Sequence, residues 1–358
     1  MVLLGLAGLL LLALIVVWTQ RKPIAEGFIN RELERSGVEG SYEIADLGVN
    51  RQRITDLVIG DPDDPDLTAE WAEIRIRHRF GTPQVVAVIA QGVRLRGELV
   101  DGELRFGQLD RLLPEPTGEP IKLPELDVTL RDARIDLATP YGRVFAAIEG
   151  SGPLHDGFSG RASALAPVFA VQGCRARQVR ASVAIAIDQR RPAFEGPVRA
   201  AGFSCPDQAL AIEAPQLALD AIFSEGFDRW GGEAGLRFAS FSQGANRIAR
   251  GRGRIDFDGS AEQTRGTLSL DSERVRLAGL AADRGSVSGF YRILDGGARI
   301  GLDGDIRVGD ARLDRAIFAD ATDSLRAAEG TPIGPAGEKL AAALENAGRR
   351  FDATASLV

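Results

Sequence analysis

The chain has 358 residues, and its 43 Lys and Arg residues against 50 Asp and Glu residues give a net charge of −7. This acidic balance, without a basic patch that carries interleaved aromatic residues, argues against nucleic-acid binding. The two histidines, His78 and His155, stand too far apart in the sequence to suggest a metal site. We therefore expect no cofactor and no metal.

Residues 2–18 carry no charged side chain, and the basic pair Arg21-Lys22 follows them. An α-helix of this length is about 26 Å long, close to the roughly 30 Å hydrocarbon core of a bilayer. We predict a transmembrane signal anchor over residues 1–20. A cleaved signal peptide is the alternative, which the lack of a small-residue cleavage site disfavours. Because no basic residue precedes the apolar run, we expect a leader before Met1.

A second helical pattern follows the predicted anchor. Between Pro23 and Gly37, which are typical start and stop signals, apolar residues recur at near-helical spacing: Ile24, Phe28, Ile29 and Leu33. We predict a juxtamembrane helix over residues 21–40. This helix either packs against one end of the following sheet or lies on the lipid surface.

Short stretches that alternate apolar and polar residues dominate after residue 40, for example residues 126–130 and 179–187. Alternation with a period of two predicts β-strands that have one apolar face. Asp-Gly pairs, such as Asp258-Gly259 and Asp303-Gly304, predict tight turns between the strands. The close spacing of these signals predicts a mainly β fold in which the strands form an antiparallel meander.

One motif occurs twice in the strand-rich region. Residues 128–136 align with residues 306–314, and in both copies the apolar phase slips by one residue at an Asp-Ala pair, Asp132-Ala133 and Asp310-Ala311. A β-bulge produces a slip of this kind. The two copies suggest a repeated β unit.

The chain contains two cysteines, Cys174 and Cys205, and each lies beside a strand pattern. They predict a disulfide between neighbouring strands in an oxidising compartment, with two free buried thiols as the alternative. The spacing of a redox motif and the ligand count of a zinc site are both lacking.

The C-terminal region has a helical pattern through Leu340, Leu344, Ala347 and Phe351, which predicts an amphipathic helix that covers part of a sheet. Residues 354–358 resemble the start of another strand, so we expect the chain to be part of a longer protein. No nucleophile elbow or phosphate loop is complete. We predict that the chain is not an enzyme, and that the acidic run at residues 61–66 is a solvated turn instead of a calcium loop.

The apolar strand faces leave two structural alternatives. The sheet either closes into a sandwich or barrel around its own core, or it curls into an apolar groove that holds a ligand. Composition alone favours the closed core.

Several stretches resemble the AsmA-like superfamily of Gram-negative envelope proteins, and within it the YdbH-like group, with TamB and YhdP as relatives. Besides the N-terminal anchor, they are residues 42–47, 54–62 and 66–69, VRLRGELVDGEL at 93–104, and residues 128–137 with 139–142. The resemblance implies a long, antiparallel and strongly curved sheet, a taco-like β-groove with an N-terminal transmembrane helix and a few short packing helices. It implies a single-pass inner-membrane protein in which residues 41–358 form a periplasmic repeating β-groove region.

The function that the resemblance implies is phospholipid transport between the inner and outer membranes, which maintains the envelope. The implied partners are phospholipid acyl chains, the inner membrane and an outer-membrane lipoprotein. Candidate groove residues lie on the longest apolar faces, where plain sheet core is the competing interpretation: Val128, Leu130, Val144, Ile148, Val183, Ile185, Ile187, Leu217 and Leu219.

An anchored periplasmic adaptor or assembly factor with a closed β-sandwich is the alternative function. An older label for the YdbH-like group mentions dicarboxylate transport. One span without a polar site inside the membrane could not form a solute carrier by itself.

Overall fold

The computed structural model describes residues 35–79, 82–100, 103–112, 122–260, 262–277, 279–295, 299–313, 315–327, 334–347 and 350–357. The predicted anchor over residues 1–20 lies outside the described residues, as does most of the predicted helix over residues 21–40. In the described part of the chain, no helix is both long enough and apolar enough to cross a membrane.

The chain divides into two compact units. Unit 1 comprises the residues up to 171 together with 176–199 and 219–230, and unit 2 comprises 172–175, 200–218 and the residues from 231 onward. The division falls within three strands: β10 (Cys174–Asp188), β14 (Gln216–Phe223) and β15 (Arg229–Gln243).

Unit 1 is built from strands and a 3-10 helix at Gly107–Leu112. Besides its parts of the three divided strands, unit 1 has these strands: β1 (Gly40–Leu47), β2 (Arg51–Asp61), β3 (Asp64–Arg79), β4 (Thr82–Gln91), β5 (Arg94–Val100), β6 (Glu103–Arg105), β7 (Asp127–Ala138), β8 (Val144–Pro153), β9 (Phe158–Val171) and β11 (Arg191–Arg199).

In unit 2, the strands from β16 to β20 follow one another closely along the chain. Two helices that contact each other lie between β19 and β20. Its strands are β12 (Gly202–Cys205), β13 (Leu210–Glu213), β16 (Asn246–Ser260), β17 (Gln263–Leu277), β18 (Leu280–Leu294), β19 (Arg299–Leu313) and β20 (Arg350–Leu357). The helices are α1 (Arg315–Arg326) and α2 (Gly334–Ala347), and a 3-10 helix spans Pro206–Gln208.

The prediction of a mainly β fold is confirmed, but the expected antiparallel meander is only partly correct. Strands β16 to β20 pair antiparallel in chain order. In unit 1, however, β7 pairs parallel with both β4 and β5. The connection from β6 to β7, which includes the 3-10 helix, is long enough to carry the chain back for parallel pairing.

The predicted phase slips are confirmed as β-bulges. Asp132 and Asp310 adopt left-handed φ angles of 52° and 53°, and the pairing register shifts beside each of them. The following alanines, Ala133 and Ala311, are 2% and 0% exposed. The extra residue at each bulge therefore turns the small alanine inward and restores an apolar face.

Two of the predicted turns are wrong. Asp258-Gly259 and Asp303-Gly304 lie inside β16 and β19, not between strands. A Cβ at Gly304 would overlap the carbonyl oxygen of Ser288 on the neighbouring strand. Glycine stands there because two backbones approach closely, which is the second common meaning of a glycine in a strand pattern.

The C-terminal helix is present but ends earlier than predicted, at Ala347, so that Phe351 belongs to β20. Phe351 packs against a small cluster of Val275, Ala282 and Ala311 in unit 2. The first helix, α1, was missed by the sequence reasoning.

Candidate functional site

Most of the candidate groove residues predicted from the sequence are buried. Five are buried in one cluster of unit 1: Val128, Leu130, Ile148, Val183 and Ile187. Val144 and Ile185 are half-buried and pack against this cluster, Leu219 is buried, and Leu217 is half-buried. Neighbouring side chains cover the buried residues, as the competing interpretation of plain sheet core predicts, and their role in lipid binding stays a prediction.

A second apolar face, which the sequence reasoning did not single out, lies on strands β16–β20 of unit 2. Leu270 pairs with Val287, Val287 with Ile306, and Ile306 with Ala355. Residues directly opposite each other point to the same side of a sheet. Leu270, Val287 and Ile306 are half-buried and Ala355 is exposed, so this apolar row is accessible from outside.

A parallel row lies two residues further along the same strands, about 7 Å away. Ile255 pairs with Leu268, Leu268 with Gly289, and Gly289 with Gly304. We name the two rows together the β16–β20 apolar face, which consists of Ile255, Leu268, Leu270, Val287, Gly289, Gly304, Ile306 and Ala355.

The middle of this face carries no side chain. A Cβ at Gly289 would overlap the carbonyl oxygen of Asp303, and a Cβ at Gly304 would overlap that of Ser288. The two glycines are therefore required by the close approach of β18 and β19. They leave a strip of bare backbone beside the aliphatic side chains of Leu268 and Ile306, and a strip of this kind is the floor of a shallow furrow.

The same alternation that predicts strands could have identified this face. Leu268 and Leu270 flank one polar residue, and Gly304 and Ile306 flank another. The groove prediction rests on the longest apolar runs, such as residues 179–187. The runs that form this second face are shorter and are interrupted by glycine, so they do not meet that criterion.

Charged side chains are paired at the bulges, away from the apolar faces. In unit 1, Arg94 donates from Nη2 to Oδ2 of Asp132 at 2.8 Å and from Nη1 to the backbone oxygen of Asp132 at 2.8 Å. Arg134 donates to the other carboxylate oxygen at 3.0 Å. The hydrogen bond from Arg94 is the main reason that the pKa of Asp132 is lowered.

The corresponding bulge in unit 2 has the same kind of pair. Nη2 of Arg284, on the neighbouring strand β18, lies 2.8 Å from Oδ2 of Asp310. The two bulges thus share an arginine–aspartate pair as well as their sequence motif. The arginines, Arg94 and Arg284, lie outside the two aligned segments.

A disulfide joins Cys174 to Cys205, with an S–S distance of 2.07 Å. It connects the start of β10 with the end of β12, and both ends lie within unit 2. Both cysteines of the chain are used in it, so no thiol is available for redox catalysis or metal binding.

Within the described ranges, no group of three or more His, Cys, Asp and Glu side chains is placed to hold a metal ion. The acidic run at residues 61–66 forms the turn between β2 and β3, where Asp64 makes an ion pair with Arg96 and the Asp66 carboxylate accepts a hydrogen bond from the backbone of Gln108. These carboxylates therefore serve local structure.

Long strands with one half-exposed apolar face, few helices and disulfide-linked cysteines define a large β-structured protein with a surface suited to apolar ligands. The family model for YdbH-like proteins, described as intermembrane phospholipid transport protein YdbH, matches residues 9–357. The chain belongs to the YdbH-like family, and the resemblance stated from the sequence is confirmed. No curated protein and no solved structure matches it significantly.

Proposed function

We propose that this chain carries phospholipid acyl chains on the β16–β20 apolar face, as part of phospholipid transport between the inner and outer membranes. The carrying observation is the accessible double row of aliphatic side chains around a glycine furrow. The family to which the chain belongs is one of intermembrane phospholipid transport, and an extended apolar surface is what such a function requires.

Acyl-chain binding needs apolar area and little else. Each methylene group that leaves water gains about 0.8 kcal/mol, without directional contacts. Side chains such as Leu270 and Val287 supply this area, and the glycine furrow at Gly289 and Gly304 lets an acyl chain lie close to the backbone. Because no directional contact is required, a lipid can slide along these rows, which run across the strands.

The proposal places the protein in the inner membrane through residues 1–20, with residues 41–358 in the periplasm. The disulfide between Cys174 and Cys205 supports an oxidising compartment. An outer-membrane lipoprotein at the far end is the partner that this route would need.

Photo-crosslinking tests the proposal directly. A photoreactive amino acid at Leu270 or Val287 should yield adducts with radiolabelled phospholipid in cells. The matched control is Ser269, an exposed neighbour of Leu270 that points to the other side of β17. A third position, Ile185, packs against the unit 1 core and should give few adducts.

Adducts at Leu270 but not at Ser269 support the proposal. Equal labelling at both positions, or no lipid adduct at either apolar position, would overturn it. Adducts at Ile185 in place of Leu270 would return the groove to the residues predicted from the sequence.

An anchored adaptor is the second candidate, because the closed core of unit 1 is what a β-sandwich that binds another protein would have. In that case the same crosslinking positions should capture a protein and no lipid.

A further inference from the structure

A cavity of about 780 Å³ lies across strands β16–β20 of unit 2. Most of its lining residues are polar or charged, in contrast to the β16–β20 apolar face. Volumes of this size are in the range of small-molecule sites.

The cavity lies on the charged side of these strands. One row of mutually opposite residues crosses all five strands in the lining: Arg252, Asp271, Ser286, Arg307 and Thr354. Each of the last four follows or precedes a member of the apolar row directly in the sequence, so the two rows point to opposite sides of the sheet.

A second row of the lining lies two residues further along. Glu273 pairs with Arg284, and Arg284 with Gly309. Gly309 leaves space here, since a Cβ added to it would come within 3.5 Å of Arg284 and of Asp352. The cavity is therefore lined by two neighbouring rows in which long charged side chains alternate with small residues.

Most of the charges in the lining are already paired. Three ion pairs involve lining residues, with the following distances between charged atoms: Glu273–Arg250 at 2.5 Å, Arg284–Asp310 at 2.8 Å and Arg307–Asp305 at 3.3 Å. Arg252 and Asp271 are different. They are exposed and directly opposite each other on β16 and β17, yet neither has an ion pair or hydrogen bond to another side chain of the described residues.

We propose that this cavity binds a small zwitterion with a phosphate-type anion and an ammonium group, which is the chemistry of phosphoethanolamine. The guanidinium of Arg252 matches a phosphate in a two-pronged contact, and the carboxylate of Asp271, directly opposite on β17, accepts from the ammonium. The hydroxyls of Ser286 and Thr354 complete the polar row.

The charge pattern selects a zwitterion over an ion of one sign. A plain anion is repelled by the carboxylate of Asp271, and a plain cation is repelled by the guanidinium groups of Arg252 and Arg307. A ligand that carries both charges can contact both members of the pair at once.

The group could come from a free metabolite or from the head of a phospholipid. Only the lipid source rests on the proposed function, and it requires a second lipid, because the cavity and the β16–β20 apolar face point to opposite sides of the sheet.

Calorimetric titration of the full chain in detergent with phosphoethanolamine, inorganic phosphate and ethanolamine tests the site. Phosphoethanolamine should bind at least about tenfold more tightly than either half, since each charge-assisted contact contributes on this scale. Arg252→Gln and Asp271→Asn should each weaken phosphoethanolamine binding about tenfold or more.

The matched control is Asp258→Asn with Arg265→Gln. These two exposed residues are also opposite each other on β16 and β17 but are not part of the cavity lining. The control should bind as the unchanged protein does, and circular dichroism should show that all variants are folded.

Absence of phosphoethanolamine binding, equal affinity for phosphate alone, or unchanged affinity in Arg252→Gln would each overturn the inference. Vesicles of phosphatidylethanolamine compared with vesicles of phosphatidylcholine distinguish the lipid source, because the choline head cannot donate to Asp271. If free phosphoethanolamine binds but Leu270 captures no phospholipid, the proposed function fails and the zwitterion site stands. The reverse result removes only the zwitterion site.

Discussion

At the scale of single residues, the bulge aspartates combine backbone strain with charge pairing. Asp132 and Asp310 both adopt a left-handed backbone conformation that most side chains avoid. In both cases an arginine from a neighbouring strand contacts the carboxylate. Arg94 also donates a hydrogen bond from Nη1 to the backbone carbonyl oxygen of Asp132 at the bulge. The arginine therefore compensates for the ladder hydrogen bonds that the bulge interrupts.

This arrangement gives the first residue-scale prediction. Arg94→Gln should raise the pKa of Asp132 toward its ordinary value, because the hydrogen bond from Arg94 is the largest cause of its lowered pKa. Since the folded-state pKa lies below the unfolded-state value, the pair stabilises the fold above the ordinary Asp range, and this contribution is lost as pH falls through the folded-state pKa.

Carboxyl-carbon NMR titration of both forms measures the change. Arg134→Gln is the control, because Arg134 contributes less to the lowered pKa of Asp132, so it should shift the titration less. A pKa of Asp132 that is the same with and without Arg94 would contradict this account.

At the scale of elements, glycines inside strands determine how closely β18 and β19 approach. Gly289 and Gly304 stand directly opposite each other, and a side chain on either would overlap the neighbouring backbone. A Cβ on either strand can be accommodated only if the two backbones move apart, which weakens the ladder on both sides.

We therefore predict that Gly304→Ala destabilises unit 2 by about 1–3 kcal/mol, the usual cost of overpacking. Gly301→Ala is the matched control on the same strand, because a Cβ there meets nothing within 4 Å, and its effect should stay within about 0.5 kcal/mol. Urea denaturation followed by circular dichroism compares the two midpoints. Equal midpoints would show that the strands have room to separate.

These elements also show what the sequence could predict. The bulges at Asp132 and Asp310 were predicted because a phase slip is a local property of alternation. Asp303-Gly304 was misread as a turn, because the same dipeptide also fits a close approach of strands, and only the position of β18 decides between the two meanings. The parallel pairing of β7 depends on a long connection, which carries no local signal.

At the scale of the whole chain, the two units differ in how their apolar strand faces are covered. In unit 1, Val128 and Leu130 are 1% and 4% exposed within a large core. In unit 2, Leu270 and Val287 alternate with polar residues in the same way but remain half-buried. Alternation reveals which residues share a face, but long-range contacts decide whether the face is covered. For this reason the sequence selected the covered face as the groove candidate.

The accessible face leads to a prediction for the function of the whole protein. The proposed function predicts that phospholipid co-purifies with the chain and that Val287→Asp removes most of it, because a carboxylate on this surface would have to lose its water against an acyl chain. Ser288→Asp adds the same charge at the next residue of β18. Ser288 is half-buried, as Val287 is, but its side chain points to the other side of the sheet. It should retain the lipid.

Mass spectrometry of the extracted lipid, normalised to protein, measures both variants, and equal denaturation midpoints exclude unfolding as the cause. Loss of lipid in both variants would point to a general effect of charge, and retention in both would show that acyl chains are held elsewhere. With equal denaturation midpoints, a selective loss in Val287→Asp would tie lipid binding to one face of this sheet, because the new carboxylates of the two variants point to opposite sides of it.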